Sequence, residues 1–314
     1  MIQVDLITGF LGAGKTTFLT KYARYLMQQG QRLGILVYDC GSMNIDMVLL
    51  GKLRGDNCDI EMVANAFDED CLLRRFKTKL ISLWMCGYDR IIIEPSGVFD
   101  MDQFFDTLRE EPLENWYEIG NVITVVNARD EGSLDTESSF FRASQAANAG
   151  AIVLSRTQLA TAQEISLAKE RLAQEAVAIH CNNFDPIYVE KDWNDFTNDD
   201  WAKLSTSGYH IRSYEKPIAG RSGSYSSVGL LDVPFPLDEI KEKIHLLFTE
   251  DRFGNVKRIK GFIFDHGKNL ELNATPQELH ITDSRVGQNS LVIIGMHLQH
   301  EAIKKLFEQG STLQ

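Results

Sequence analysis

The run Gly9-Phe10-Leu11-Gly12-Ala13-Gly14-Lys15-Thr16 sets glycines, a cation and a hydroxyl at the spacing G-x-x-x-x-G-K-[ST]. Glycines let the backbone turn tightly enough for successive N–H groups to point inward at one anion. A helix that starts at Lys15 aims the positive end of its dipole at the same anion. Lys15 adds a mobile cation for the β and γ oxygens of a nucleotide, and the Thr16 hydroxyl offers a ligand to Mg²⁺. Thr17 follows on the same turn. The chemistry this predicts is binding of a Mg²⁺–nucleoside triphosphate, with Gly9, Gly12, Ala13, Gly14, Lys15, Thr16 and Thr17 around the phosphates.

Phosphoryl chemistry also needs an acid on the metal side, delivered from another strand. Ile91-Ile92-Ile93-Glu94-Pro95-Ser96-Gly97 reads as a buried strand ending in a carboxylate, then a turn at Gly97. Asp39 ends the apolar run Leu33–Tyr38 in the same way, and Asp46 follows it. In open α/β sheets ligands bind at the carboxyl ends of the strands. Glu94 and Asp39 are therefore expected to face Thr16, holding Mg²⁺ or orienting the attacking water while Lys15 meets developing charge. The competing role for a carboxylate at a strand end is a helix cap or a solvated loop.

Positioning such residues takes parallel strands with helices between them. Strands are expected at Gln3–Thr8, Leu33–Tyr38, Arg90–Glu94, Asn121–Val126, Ala151–Leu154 and Ala176–Ile179, and helices at Lys15–Gln28, Glu69–Met85, Asp102–Arg109, Phe140–Asn148 and Ala162–Glu175. Several strand runs are continuously apolar, as in sheets covered on both faces. The fold class predicted is α/β: a P-loop NTPase domain with a doubly wound, mostly parallel sheet over residues 1–207. Residues 208–227 contain the small, polar stretch Gly220–Ser227, expected as a flexible connector, and are read as the linker to, or the start of, a small α+β domain over 228–314. There, Leu237–Thr249 and His300–Gln309 read as helices, and Val256–Asp265 and Ser290–Gly295 as strands.

Taken together these motifs resemble the CobW family of P-loop GTPases, relatives of the nickel-insertion and urease-accessory GTPases. Thr8–Thr17 is similar to that family's P-loop, Ile93-Glu94-Pro95-Ser96-Gly97 to its Glu-x-x-Gly switch, and Val37–Gly41 to its first switch. Val256–Phe262 and Ser290–Gly295 look like landmarks of its C-terminal domain. The resemblance implies a two-domain protein that hydrolyses GTP, or ATP, with Mg²⁺. It also implies coupling of that cycle to a metal, commonly Zn²⁺ or Co²⁺, or to a client metalloprotein.

The chain departs from the family pattern twice. The family's Cys-x-Cys-Cys metal motif is missing from Ala64-Asn65-Ala66-Phe67-Asp68-Glu69-Asp70-Cys71. Cys71 and Glu69 are the transition-metal candidates left, a harder and weaker set than soft thiolates. The acids there equally suit the start of a helix. Second, the guanine-reading Asn-Lys-x-Asp becomes Ser155-Arg156-Thr157-Gln158. A carboxylate accepts two hydrogen bonds from guanine, whereas Gln158 is neutral and has one carbonyl oxygen. Losing such a contact costs about 1.5–3 kcal/mol, which blurs preference for GTP over ATP. Arg156 can still stack on a base.

Composition excludes several other classes. Lys+Arg 32 against Asp+Glu 44 leaves a charge of −12, which argues against non-specific binding to nucleic acid or an anionic membrane. No apolar run approaches the roughly 20 residues that span a bilayer. The N-terminal residues carry no basic stretch ahead of an apolar one, so no cleaved leader is expected. Five cysteines with no Cys-x-x-Cys spacing suit reduced thiols in the cytoplasm. The seven histidines form no i,i+4 pair; His297 and His300, three apart, could share a helical face but lie near a strand-to-helix turn, so structural roles are expected for the histidines. The reading is a slow, Mg²⁺-dependent GTPase switch in the cytoplasm. It serves a metalloenzyme or metal cofactor as an accessory factor, and it leaves room for a homodimer. Its rivals are a non-catalytic nucleotide sensor and an ATP-using accessory factor that holds no metal itself.

Overall fold

A computed structural model of the chain describes residues 1–38, 50–63, 69–129, 134–216, 225–284 and 289–308, with the side chains of residues 69 and 70 outside that description. The chain divides into two compact units, one built on a parallel sheet and one on an antiparallel sheet.

The first unit contains β1 (Ile2–Thr8), α1 (Lys15–Gln28), β2 (Leu33–Tyr38), β3 (Cys58–Val63), α2 (Glu69–Trp84), β4 (Arg90–Pro95) and α3 (Met101–Arg109). It continues through β5 (Tyr117–Asn127), α4 (Thr136–Ala147), β6 (Ala151–Ser155), α5 (Ala162–Ala178), β7 (Tyr188–Val189) and α6 (Asn198–Leu204). The seven strands lie in the order β3-β2-β4-β1-β5-β6-β7, every adjacent pair parallel. Ile91, Ile92 and Ile93 of β4 are fully buried, because helices cover both faces of the sheet. Each such side chain contributes about 1.5–3 kcal/mol of burial. On α1, Phe18, Leu19, Tyr22, Ala23 and Leu26 recur at helical spacing and face the core.

Strand order reverses at β1: the sheet extends from it on one side through β4, β2 and β3, and on the other through β5, β6 and β7. That reversal opens a crevice above the carboxyl end of β1. Leu6 of β1 lies beside Ile93, and Val37 of β2 beside Glu94. The register therefore brings Glu94 to the same end of the sheet as the loop that leaves β1.

In the middle of β1, Asp5 is fully buried and saturated with donors. Tyr22 Oη (2.7 Å) and Arg90 (2.6 Å) donate to Oδ2, and the backbone (2.9 Å) and side-chain (2.8 Å) nitrogens of Asn121 donate to Oδ1. Arg90 also donates to Gln3 Oε1. Burial first, then the Asp5 carboxylate, pushes the Tyr22 phenol far above its ordinary range. This network ties β1, β4, β5 and α1 together.

The second unit orders its strands β11-β10-β9-β12-β8, all antiparallel. They are β8 (Tyr225–Leu231), β9 (Asn255–Asp265), β10 (Lys268–Ala274), β11 (Leu279–Asp283) and β12 (Ser290–Met296), with helices α7 (Leu237–Thr249) and α8 (His300–Glu308). Ile259, Ile263, Leu272, Leu291 and Ile293 share a core with Ile240 and Ile244 of α7 and Ile303 of α8.

Three expectations need correction. Ala176–Ile179 is not a strand: α5 runs on to Ala178, with Ala176 buried against α4. The alanines around it favour helix, and tertiary packing extends it past the predicted end. The strand that follows is β7, only two residues long, too short to leave a pattern. Residues 225–227, expected in the linker, already belong to β8. β3, β8, β10 and β11 are absent from the expected strands; their exposed and half-buried positions dilute the apolar signal that marks β4.

Candidate functional site

The loop after β1 turns by a hydrogen bond from Ala13 N to Phe10 O (3.2 Å) and enters α1 at Gly14. Gly9 sits so close to β5 that a Cβ there would lie 2.3 Å from the carbonyl oxygen of Val125. No other residue fits. Ala13 is buried, Gly12 and Gly14 take positive φ, and Thr17 is exposed on the first turn of α1. The amides of that turn have no partner within the helix, as at any helix start. Lys15 is buried, and its Nζ donates to Gly9 O at 3.0 Å, which draws the cation back across the loop it closes.

Glu94 ends β4 with 3% of its surface exposed. Thr16 Oγ1 donates to Glu94 Oε1 at 2.6 Å, across 78 residues of chain. Two of the three residues assigned to Mg²⁺ from sequence thus meet, and the third, Asp39, lies outside the described residues. The following turn presses on the phosphate loop: a Cβ at Gly97 would stand 2.6 Å from Leu11 N. Gln145 of α4 holds that turn by donating to Gly97 O (3.1 Å), and Ser96 N donates to Tyr38 O (2.7 Å). Gln145 is not found from sequence, since nothing local marks it. A hydroxyl and a carboxylate are hard oxygen donors, the kind Mg²⁺ takes beside phosphate oxygens. The pair therefore fits that ion.

At the end of β6, Ser155 is buried, and its Oγ has no hydrogen-bond partner among the described residues. Arg156 takes the left-handed conformation at φ 59°, uncommon outside glycine. Gln158 is exposed on the short 3₁₀ turn Thr157–Leu159. The next helix, α5, opens with a capping box between Thr161 and Glu164. These hydrogen bonds, first from the Thr161 backbone and then from its side chain, hold the Glu164 carboxyl below its usual range.

Asp39 and Asp46 fall outside the described residues. Cys71 is half-buried on the first turn of α2, and the side chain of Glu69 lies outside the description. Among the described residues no group of three or more His, Cys, Asp or Glu could hold a metal ion. Cys58 is buried, and desolvation pushes its thiol up to about 11. No described helix is long and apolar enough to cross a membrane.

With this geometry in hand, comparison with known proteins gives two family matches. The family model for the CobW/HypB/UreG nucleotide-binding domain matches residues 3–181, and that for the cobalamin synthesis protein cobW C-terminal domain matches residues 228–310. The zinc chaperone YjiA of Escherichia coli (strain K12) is 26% identical over 335 residues, covering 98% of each chain. The zinc-regulated GTPase metalloprotein activator 1 of Schizosaccharomyces pombe is 22% identical over 179 residues, 54% of this chain and 43% of its own. The crystal structure of Zn(II)-bound YjiA GTPase from E. coli matches over 98% of both chains at 22% identity, with a TM-score of 0.37.

Proposed function

The chain belongs to the CobW/HypB/UreG family, and on that premise we propose that it is a Mg²⁺-dependent nucleoside triphosphatase, a slow GTPase switch that serves a metalloprotein or metal cofactor. One observation carries the proposal above the rest: the 2.6 Å hydrogen bond from Thr16 to Glu94. It joins the end of the phosphate loop to the end of the neighbouring strand, as a metal-and-phosphate site requires.

Each residue has a task in this reading. Backbone amides from Gly12 to Thr16 and the start of α1 hold the β-phosphate. Lys15 leaves Gly9 O for the β and γ oxygens. Thr16 and Glu94 would hold Mg²⁺, with Asp39 proposed as a further acid, and the bound ion would supply neutralisation of phosphate charge. Glu94 also orients the attacking water towards the γ-phosphorus. Gly97 and Gln145 fix the turn that carries Glu94 against Leu11. Ser155, Arg156 and Gln158 meet the base.

Zinc or cobalt enters as cargo. The relatives bear zinc in their names, and Cys71 with Glu69 are the residues proposed here to touch such a metal. One thiol and a carboxylate make a weaker site for zinc than a thiolate cluster does. A cytoplasmic client metalloprotein would receive the metal or the nucleotide-dependent signal.

Calorimetric titration of Mg·GTP, Mg·ATP and the diphosphates, with phosphate release followed in parallel, tests the proposal. Wild type should bind both triphosphates and release phosphate slowly, and Lys15→Ala should lose binding at unchanged helix content. Equal affinity in Lys15→Ala and wild type would overturn the assignment of this loop. Tight binding without any phosphate release would leave a sensor rather than an enzyme.

A further inference from the structure

Beyond the phosphate loop stands an aromatic residue that no motif picks out. Trp193 lies on the loop after β7, the strand next to β6, and so at the carboxyl end of the sheet beside Ser155–Gln158. It reaches back onto the phosphate loop. A Cβ at Gly14 would lie 3.3 Å from Trp193 Cη2 and 3.8 Å from Ser155 Cβ. The indole also packs on Phe18 of α1, centroids 5.6 Å apart and tilted by 48°, yet it stays half-buried.

The loop that carries this ring is anchored on both sides. Lys169 of α5 pairs with Glu190 (2.5 Å), and Lys191 pairs with Asp200 of α6 (2.7 Å). Asp192 caps the turn Trp193–Asp195 by accepting from Asn194 N at 2.9 Å. An indole on an anchored loop is a preorganised surface, and its ordering adds little entropic cost to binding.

Chemistry on the base side gives the ring its role. Serine at 155 is short and its Oγ has no partner among the described residues, and Gln158 is exposed and uncharged. Neither offers the charge-assisted pair that rejects the wrong purine. Every purine, however, has a π-face, and stacking on an aromatic ring is indifferent to edge pattern. We infer that Trp193 is the base-side wall of the nucleotide site, an aromatic platform that holds guanine and adenine alike by face contact. The inference rests on the nucleotide site proposed above and names the residue that sets its tolerance for the base.

The test uses the full-length chain, titrated with Mg·GTP, Mg·ATP and Mg·tripolyphosphate, a probe that engages the phosphate loop but has no base. Trp193→Ala should weaken GTP and ATP by similar factors, about 5- to 150-fold for the loss of one base–aromatic stack, and leave tripolyphosphate unchanged. Trp193→Phe should keep most of the affinity. It should also abolish the nucleotide-induced change in tryptophan fluorescence, although Trp84, Trp116 and Trp201 remain. Parallel loss of tripolyphosphate affinity in Trp193→Ala would make the ring a brace for the phosphate loop and overturn the inference. Loss confined to one purine, or unchanged affinity for both, would overturn it too. A wild type that binds neither probe nor nucleotide overturns the nucleotide site itself, an outcome that no Trp193 variant can mimic.

Discussion

Replacing Asp5 by asparagine tests whether the two buried acids on neighbouring strands have the different roles that their surroundings assign. Asp5 accepts four hydrogen bonds and has no surface exposed, while Arg90 beside it keeps only 9% of its side chain accessible. In Asp5→Asn the oxygen can still accept both bonds from Asn121. The amide nitrogen then replaces the oxygen that meets Tyr22 and Arg90. Tyr22 can rotate its hydroxyl to accept, but a guanidinium has no lone pair to offer. Arg90 is left as a buried cation facing a donor. Removing one partner of a buried ion pair costs about 3–5 kcal/mol. With Gln3 still accepting from Arg90, we expect about 2–4 kcal/mol here, a large part of the 5–15 kcal/mol typical of a domain. For a unit of this size that lowers Tm by about 4–16 °C. Urea unfolding of wild type and variant, followed by far-ultraviolet circular dichroism, measures the loss. Below the transition the variant should bind nucleotide as wild type does, because Asp5 sits mid-strand with its carboxylate engaged by Tyr22, Arg90 and Asn121, none of them in the phosphate loop. A loss under about 1 kcal/mol, or weakened nucleotide binding without any loss of stability, would refute the reasoning.

The remaining predictions concern the other acid, the base loop and the loop that carries Trp193. Glu94→Gln should lower phosphate release about 10²- to 10⁴-fold, the usual range for removing a positioned general base, with far smaller change in nucleotide affinity; equal turnover would return Glu94 to a structural role. Wild type should prefer GTP over ATP only slightly, and Gln158→Asp should raise that ratio by about 10-fold for each 1.4 kcal/mol regained. Competition titration of the two nucleotides checks this, and a strong wild-type preference untouched by Gln158→Asp would show that another residue reads the base. The Asp200 carboxyl is held well below its ordinary range, first by Lys191 and then by the Thr197 backbone and hydroxyl. A depressed folded pKa means its support for α6 is complete above the unfolded value of about 3.9 and fades as pH falls from there through the folded value. Fluorescence of Trp193 and Trp201 titrated from pH 6 to about 2 should therefore hold steady until below about 4. An identical acid transition in Asp200→Asn would assign that step to another group.

Where the sequence alone sufficed, the physics was local. The proposed phosphate loop is a contiguous run whose glycines and lysine would meet an anion from successive positions, so the pattern Gly9 to Thr16 is readable without any fold. β4 carries the continuous apolar run Ile91–Ile93 because helices cover both of its faces, and that run makes it legible together with the carboxyl-end position of Glu94. α7 was bounded correctly because Pro236 sits just before its first residue. Elements whose identity depends on neighbours stayed hidden. β7 is a strand only because β6 lends it partners for two residues, and Ala176 is helical because α4 covers it. The contact between Thr16 and Glu94 depends on β4 lying next to β1 with Leu6 beside Ile93, a register that no spacing along the chain encodes. The roles of the two buried acids divide in the same way. Asp5 and Glu94 both look like carboxylates in apolar strands, yet one is saturated by donors brought from β4, β5 and α1, and the other meets a threonine at the mouth of the crevice. Trp193 is the extreme case. Nothing near it in the chain gives it a function, and only the parallel order of β1, β6 and β7 brings its ring to Gly14.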